Sequence, residues 1–539
     1  MEITRSSNEN ELEKMQKFDS LEKEKNKTEN LPSSEELISS LEEKGLDKYA
    51  EVYKTVVDLS EEIKSAGGQA LLVGGCVRDI LAGKIPKDFD IEVRKLTSSK
   101  IEEISEKFGK CSDIGKSFGI LKLSLGGGLD LDISLPRKDS KIADGHKGFE
   151  IKTDPFMSIE DGARRRDFTI NSMASDPITG ELFDPFGGAK DLKERVLRIT
   201  DEERFGDDPL RVLRALQFVG RLGLSIEGKS AKIIMNMAPQ LKELPKERIF
   251  EEWKKMLLKS EKPSLGLAAG MALGVFKEIH PVFPPLAETP QDSKWHPEGD
   301  VWIHTLMSVD EAAKIIRREG LDEDNSMVVM FSALCHDLGK PYVTEIVDGC
   351  IRSYGHEDAG DQPTKVFLAS LGVQSILREK ITQIVVNHLA PTLLYTDEII
   401  KNQPISDGAI RKLAKRIYPA TIRELVLVAE ADQLGRGPFK NPEISEQLLF
   451  PNSFPQGEWL LKRARNLDVE KSKPVNLIEG RDLISLGFKN GKHIGDIIRL
   501  ANILRDEKEF TKEMILQVVY GLSDDCDKAI FKLKSLVGD

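Results

Sequence analysis

The spacing of apolar and polar positions changes character along this chain. Between residues 68 and 200, short apolar runs alternate with short amphipathic stretches. An amphipathic segment at 49–66 leads into the apolar run at 70–73. Further strand patterns follow at 89–93, 119–125 and 129–135, with a helix pattern near 168–174. Such alternation predicts a small α/β head built on a mixed sheet. From Asp207 the period becomes helical. In DPLRVLRALQFVGRLG, Leu210, Leu213, Leu216 and Phe218 fall near one stripe, with Arg211, Arg214 and Arg221 elsewhere. LPKERIFEEWKKMLLKS predicts a second helix. Residues 295–440 are again helical and hold most of the histidines. A Pro/Gly-rich break, GRGPFKNPEIS, precedes a last helical module at 455–539. The expected division is a charged, disordered or loosely helical extension (1–45), the head (46–200), a helical neck (201–290), a histidine-rich helical domain (291–450) and a C-terminal helical module (451–539).

The densest chemistry lies in residues 71–94, LLVGGCVRDILAGKIPKDFDIEVR. Residues two apart on a strand share a face, so Asp88 and Asp90 would project into one site. Two hard oxygen ligands suit Mg²⁺, which also takes phosphate oxygens. Gly74 and Gly75 would let the backbone approach a triphosphate, and a helix N-terminus behind them favours anions. Arg78 adds a candidate cationic fork. A lone GG is usually a turn and a lone DxD a solvated strand. Their order and proximity describe a metal-dependent nucleotidyl-transfer site.

Composition narrows the setting. The chain has 539 residues, 40% hydrophobic and 31% charged, with no apolar run of membrane-spanning length and no secretory signal pattern. Five scattered cysteines form no CxxC, which points to a reducing, cytoplasmic setting and away from a thiolate zinc site. The net charge of −12 speaks against a nucleic-acid partner at first sight, but residues 1–50 hold 13 acidic and 8 basic residues and carry nearly half of the excess. Phosphate binding needs only a local basic track, for which Arg164–Arg166 is a candidate, while RKLAKR reads better as a solvated helix face; the charge balance neither supports nor excludes RNA.

The 71–94 stretch resembles the signature of the class II tRNA nucleotidyltransferase and bacterial poly(A) polymerase superfamily. That resemblance implies a third carboxylate where LDLDISLPR occurs, and Asp132 matches its position best, with Asp130 as competitor. It also implies a flexible loop at 137–151. RRRDFTINSMA resembles the family's RRDFT(I/V)NA motif. Arg165 and Arg166 would then hold the triphosphate, Asp167 would cap the helix or bind the ribose, and Asn171 would face the same way, while Ser172 replaces the commoner Ala. DDPLRVLRALQF resembles the EDxxR motif, with Asp207 where Glu is usual. Asp208 can accept from the exocyclic amine of C or A, and Arg211 can donate to the neighbouring acceptors. Arg214, on the same stretch, is a further nucleotide-binding candidate.

A second constellation lies downstream. His304, His336–Asp337 in ALCHDLGK, and Asp432 resemble the H…HD…D order of the HD phosphohydrolase superfamily. His356 and His388 stand where such domains often have extra ligands or phosphate contacts. Five of the eight histidines fall in this region. The resemblance implies a divalent metal of unspecified identity and hydrolysis of phosphomonoesters or 2′,3′-cyclic phosphates. The whole order resembles a bacterial CCA-adding enzyme with an HD domain, acting on tRNA with CTP and ATP and without a membrane partner. The alternatives are a poly(A) polymerase, a CC- or A-adding enzyme of the same fold, or an HD phosphohydrolase whose head only binds RNA.

Overall fold

The computed structural model describes residues 30–86, 88–113, 120–126, 129–141, 149–437 and 453–538. The chain divides into two compact units, Met1–Leu244 and Pro245–Asp539. The division falls inside the expected 201–290 neck.

The first unit begins with α1 (Ser34–Glu43) and α2 (Asp47–Ser65). Ser33 and Glu36 form a reciprocal capping box at the start of α1, and Leu31 and Leu41 are buried in the head core. The expectation for 1–45 therefore divides. Residues 34–43 are a capped helix packed on the head, because one apolar stripe suffices to dock it, and residues 1–29 lie outside the described ones.

A seven-stranded sheet of order β3-β4-β5-β2-β1-β8-β9 forms the body of the head. Its strands in chain order are β1 (Gln69–Val73), β2 (Asp90–Arg94), β3 (Lys110–Asp113), β4 (Ile120–Gly126), β5 (Leu129–Ser134), β8 (Ala174–Ser175) and β9 (Leu182–Phe183). All neighbours pair antiparallel except β2 and β5, which are parallel with Asp90 opposite Asp132. The sheet is mixed, as the alternating pattern predicts. Phe89, Ile91 and Val93 enter the core on one face of β2. The opposite face is thereby left to Asp88, Asp90, Glu92 and Arg94. The short helix α3 (Gly75–Leu81) follows β1 directly. A separate hairpin, β6 (Arg137–Lys141) with β7 (Phe149–Thr153), frames the segment expected to be a flexible loop, whose residues 142–148 lie outside the described ones.

The helix expected near 168–174 is not formed. Thr169–Asn171 is one 3₁₀ turn, and Ala174–Ser175 joins the sheet as β8. The helical period is interrupted because Thr169 N donates to Arg198 O and the Thr169 hydroxyl to Asp191, which hold the chain in a turn. A Cβ on Gly188 would stand 2.1 Å from Thr169 O, so only glycine lets these segments meet. Helix α4 (Arg211–Leu222) buries Leu213, Leu216 and Phe218, in line with the predicted stripe.

The second unit is predominantly helical. Helix α5 (Lys246–Lys259) sets Trp253 among Phe276, Phe283 and Phe367, where its indole N–H donates to His280 Nε2. Helices α6 (Val301–Arg318), α7 (Glu323–Cys335), α8 (His356–Ala359), α9 (Ser375–Val385) and α10 (Ile422–Leu434) assemble the histidine-bearing region. The C-terminal module has its own core, in which α11 (Lys492–Lys508) packs on α12 (Cys526–Val537) through Ile497, Leu500, Ala529 and Leu533.

Candidate active site

In the head, Asp88 and Asp132 are exposed and Asp90 is half-buried between them. Asp132 is the register partner of Asp90 on the adjacent strand, and Asp88 lies in the bend just before β2. Burial has the largest effect on Asp90 and raises its pKa; the Arg166 guanidinium pulls it back, and Asp132 and Asp88 raise it again. Asp130, the competitor for the third position, instead pairs with Lys122 Nζ at 2.8 Å, which holds its carboxyl below the usual range.

Gly74 sits at φ +75°, a conformation that favours glycine. A Cβ there would lie 2.9 Å from Arg166 Nη1 and 3.9 Å from Asp90 Oδ2. Glycine thus opens a space bounded by one cation and one carboxylate. Arg165 lies 3.8 Å from Glu92, which is buried against the fully buried Arg94. Glu92 and Arg94 were not singled out from the sequence. Their signal was available: they continue the Asp88–Asp90 face by steps of two.

Arg78, Asp167 and Asn171 are placed in the interior, 4%, 7% and 6% exposed. Arg78 donates to Asn171 Oδ1 and to Asp79. Asp167 is held below the usual carboxylate range: burial opposes this, but Arg214, the Asn171 amide and the Phe168 N–H outweigh it. These residues frame the site more than they line it. Asp208 precedes α4 rather than lying within it, and its carboxylate accepts from Leu210 N. Arg211 opens α4 and donates to the carbonyls of Arg204 and Arg165, both at 2.7 Å.

In the second unit His304, His336, Asp337 and Asp432 converge as the H…HD…D order implies. His304 Nε2 is 3.0 Å from Asp432 Oδ1 and 3.2 Å from His336 Nε2. His356 and His388 join them: His356 Nε2 is 3.4 Å from Asp337 Oδ1 and 3.3 Å from His388 Nε2. All six are buried. Each imidazole offers Nδ1 to an acceptor: Ala333 O, Ser353 O and Val385 O for His336, His356 and His388, and Glu298 Oε1 for His304. With Nδ1 donating, the Nε2 lone pairs point inward, the arrangement that ligating histidines use.

Asp337 belongs to two potential ligand groups, one with His304 and His336, the other with His356 and His388. Its oxygens have no well-aligned hydrogen-bond donor, although Lys340 Nζ lies 2.8 Å from Oδ2. A buried carboxylate in that condition among facing imidazoles fits a divalent cation. Without metal, burial opposes a charge on His336 but Asp337 and Asp432 outweigh it, so its pKa is raised. Burial pushes His388 down to about 3. Glu298, Lys340 and Arg436 were not expected from the sequence. Glu298 orients both His296 and His304, and Arg436 grips Asp432.

Known proteins match this chain. The family described as "Poly A polymerase head domain" matches residues 70–198, and the one described as "Probable RNA and SrmB- binding site of polymerase A" matches 223–286. A multifunctional CCA protein of Xanthomonas oryzae is 33% identical over 437 residues, covering 80% of this chain and 96% of its own length. The chain belongs to the class II CCA-adding enzyme family. Its relative in Xanthomonas campestris is likewise 33% identical, over 68% of this chain and 85% of that protein. Among solved structures, a CCA-adding enzyme in an apo form aligns at TM-score 0.58 and 22% identity over 91% of this chain and 99% of its own. The Thermotoga maritima CCA-adding enzyme complexed with tRNA aligns at 0.55 and 20% identity, over 94% and 100%. As a CCA-adding family member the chain is a nucleotidyltransferase, with the fold of those enzymes. No helix among its described residues is long and apolar enough to cross a membrane.

Proposed function

We propose that the head adds CCA to the 3′ end of tRNA from CTP and ATP, with no nucleic-acid template, in the cytoplasm. The observation that carries this is Asp90 opposite Asp132 on adjacent strands, with Asp88 just before the first of them, beside the Gly74 turn and Arg166. Hard carboxylate oxygens fit Mg²⁺, which when bound activates the attacking 3′-hydroxyl and neutralises the leaving pyrophosphate. Asp88 and Asp90 would hold that metal and Asp132 would help to position the metal or the hydroxyl. Gly74 and Gly75 leave room for the triphosphate, and Arg166 with Arg165 counters its charge. Asp208 and Arg211 read the base: Arg211 commits two N–H groups to backbone carbonyls, which fixes its plane and leaves its other N–H groups for the base edge.

The test supplies purified protein with tRNA lacking CCA, tRNA ending in CC, and an RNA with an unrelated 3′ end, with each labelled nucleotide alone and mixed. CCA addition that then stops, on tRNA only, is expected. Long A tails, CC alone or A alone would move the protein to the matching alternative.

A second reading is favoured by the six buried ligand-type residues: the region around 291–450 is a metal-dependent phosphohydrolase of the HD type. Asp337, common to both ligand groups, would help to hold a divalent cation there, which would supply an activated water for hydrolysis. Opening of an RNA 2′,3′-cyclic phosphate to a terminal phosphomonoester, or release of phosphate from an RNA 3′-phosphate, stimulated by added Mn²⁺, Ni²⁺ or Mg²⁺, is expected. No hydrolysis with any metal would leave the region a scaffold.

A further inference from the structure

A chain of hydrogen-bonded polar side chains, buried except for Arg214, joins the Gly74–Gly75 turn to the helix that carries Arg211. Arg78, one turn into α3, donates from Nη1 to Asn171 Oδ1 at 2.6 Å. Asn171 Nδ2 donates to Asp167 Oδ1 at 3.0 Å. Asp167 Oδ2 accepts from Arg214 Nε at 2.7 Å and Nη2 at 2.6 Å. Arg214 lies one turn beyond Arg211 on α4. The Phe218 ring closes the circuit, with the guanidinium of Arg78 at 5.3 Å and that of Arg214 at 5.4 Å from its centroid.

Asp167 has no oxygen to spare. Oδ1 also accepts from Phe168 N at 2.8 Å, and the residue is 7% exposed. A substrate hydroxyl would have to displace one of these donors. The neighbouring residues face outward to different tasks. The Arg166 guanidinium stands at Gly74 and Asp90, and the Arg165 carbonyl holds Arg211 Nη2. Three consecutive residues thus touch the phosphate side, the base-reading arginine and the interior relay. A shift of Asp167 therefore displaces Arg211 relative to the triphosphate.

We propose that Asp167, through Arg214 and Asn171, is a positioning residue for nucleotide selection: it fixes where Arg211 meets the base, so that C and A are accepted and U and G rejected. This rests on the reading of Asp208 and Arg211 as the base-selecting pair. Selection by hydrogen bonding depends on placement to fractions of an ångström, because a misplaced donor leaves a buried polar group unpaired in the correct pairing as well as in the wrong one. The carboxylate also offsets the Arg214 charge beside Arg211, since Asp167 and Arg214 act on Arg211 with opposite signs.

The experiment measures kcat/KM for CTP, UTP, ATP and GTP on tRNA ending at the matching position, in Asp167→Asn, Arg214→Gln and Asp208→Ala proteins, with thermal melting of each. Asp167→Asn is nearly isosteric, and Arg214 is partly exposed, so Arg214→Gln provides a second variant if the first does not fold. Discrimination of CTP over UTP and ATP over GTP is expected to fall about tenfold or more in both, with the Mg²⁺ dependence unchanged and Arg214→Lys restoring part of it. An equal loss for all four nucleotides, or unchanged discrimination in a folded Asp167→Asn or Arg214→Gln protein, overturns the proposal. If Asp208→Ala discriminates normally, the base-selecting reading fails and the proposal with it. If Asp208→Ala loses discrimination while the relay variants keep it, the relay alone fails.

Discussion

The two candidate centres use opposite solutions to holding a metal. The head presents carboxylates on an open strand face, with Asp88 and Asp132 exposed and the Arg166 guanidinium beside Asp90. The second centre buries four imidazoles and two carboxylates, each imidazole oriented by an acceptor behind it. Oxygen ligands in water exchange a hard cation readily and leave positions for substrate phosphates. Buried, pre-oriented nitrogen ligands are costly to leave empty and favour a resident metal. On the functions proposed above, the head would acquire part of its metal site with the nucleotide, and the histidine centre would keep its own.

The strongest way to break that comparison is to remove one ligand from each. Asp90→Ala is expected to lower CCA addition by ~10³-fold or more, since the metal supplies several kcal/mol to the transition state, and to leave cyclic-phosphate hydrolysis in place. Asp337→Ala is expected to do the reverse. A radiolabelled-nucleotide assay and an assay for opening of a 2′,3′-cyclic phosphate to the monoester, on the same preparations, decide it. Loss of both activities in either variant would show that the centres are not separable.

Chelation sharpens the comparison with a smaller effect. Brief treatment with EDTA followed by desalting is expected to abolish addition until Mg²⁺ returns, while elemental analysis finds metal retained in wild-type protein and not in His336→Ala. Equal metal content in the two proteins would remove the case for a resident ion.

A gentler contrast concerns Gly74. Alanine there adds backbone strain at φ +75° and pushes on Arg166, a cost of about 1–2 kcal/mol. A rise in nucleotide KM of roughly tenfold is expected, with hydrolysis at the histidine centre unaffected.

The smallest effect lies away from both centres. Burial pushes His280 down to about 3, so the folded unit keeps it neutral where the unfolded chain would protonate it. The unfolded state then binds more protons between about pH 6.5 and 3, and stability falls as pH drops through that window. The slope from this one group is at most about 1.4 kcal/mol per pH unit. Denaturant titrations at pH 7 and 5 should show a shallower loss in His280→Gln; an identical slope would mean that His280 does not titrate on unfolding.

Much of the head was legible because strands announce themselves by steps of two. Asp88, Asp90 and the apolar run before Gly74 fixed a strand, a turn and a carboxylate face, and Asp132 fell on a strand of its own. The helix expected over 168–174 was misread, since the turn there is set by Arg198, Asp191 and Gly188, all distant in sequence. The same distance hid the interior places of Arg78 and Asn171: an arginine after Gly-Gly reads as a phosphate ligand until the fold supplies partners that use up its donors.

By itself the sequence determined the mixed α/β head, the helical remainder and the residue types of both centres, because periodicity and short motifs depend on neighbours along the chain. Packing alone reveals that Asp130 pairs with Lys122 while Asp132 lies opposite Asp90. Only it joined His356 and His388 to Asp337, and closed the path from Arg78 through Asp167 to Arg214. Those choices depend on distances between segments far apart in sequence, and such distances exist only once the chain has packed.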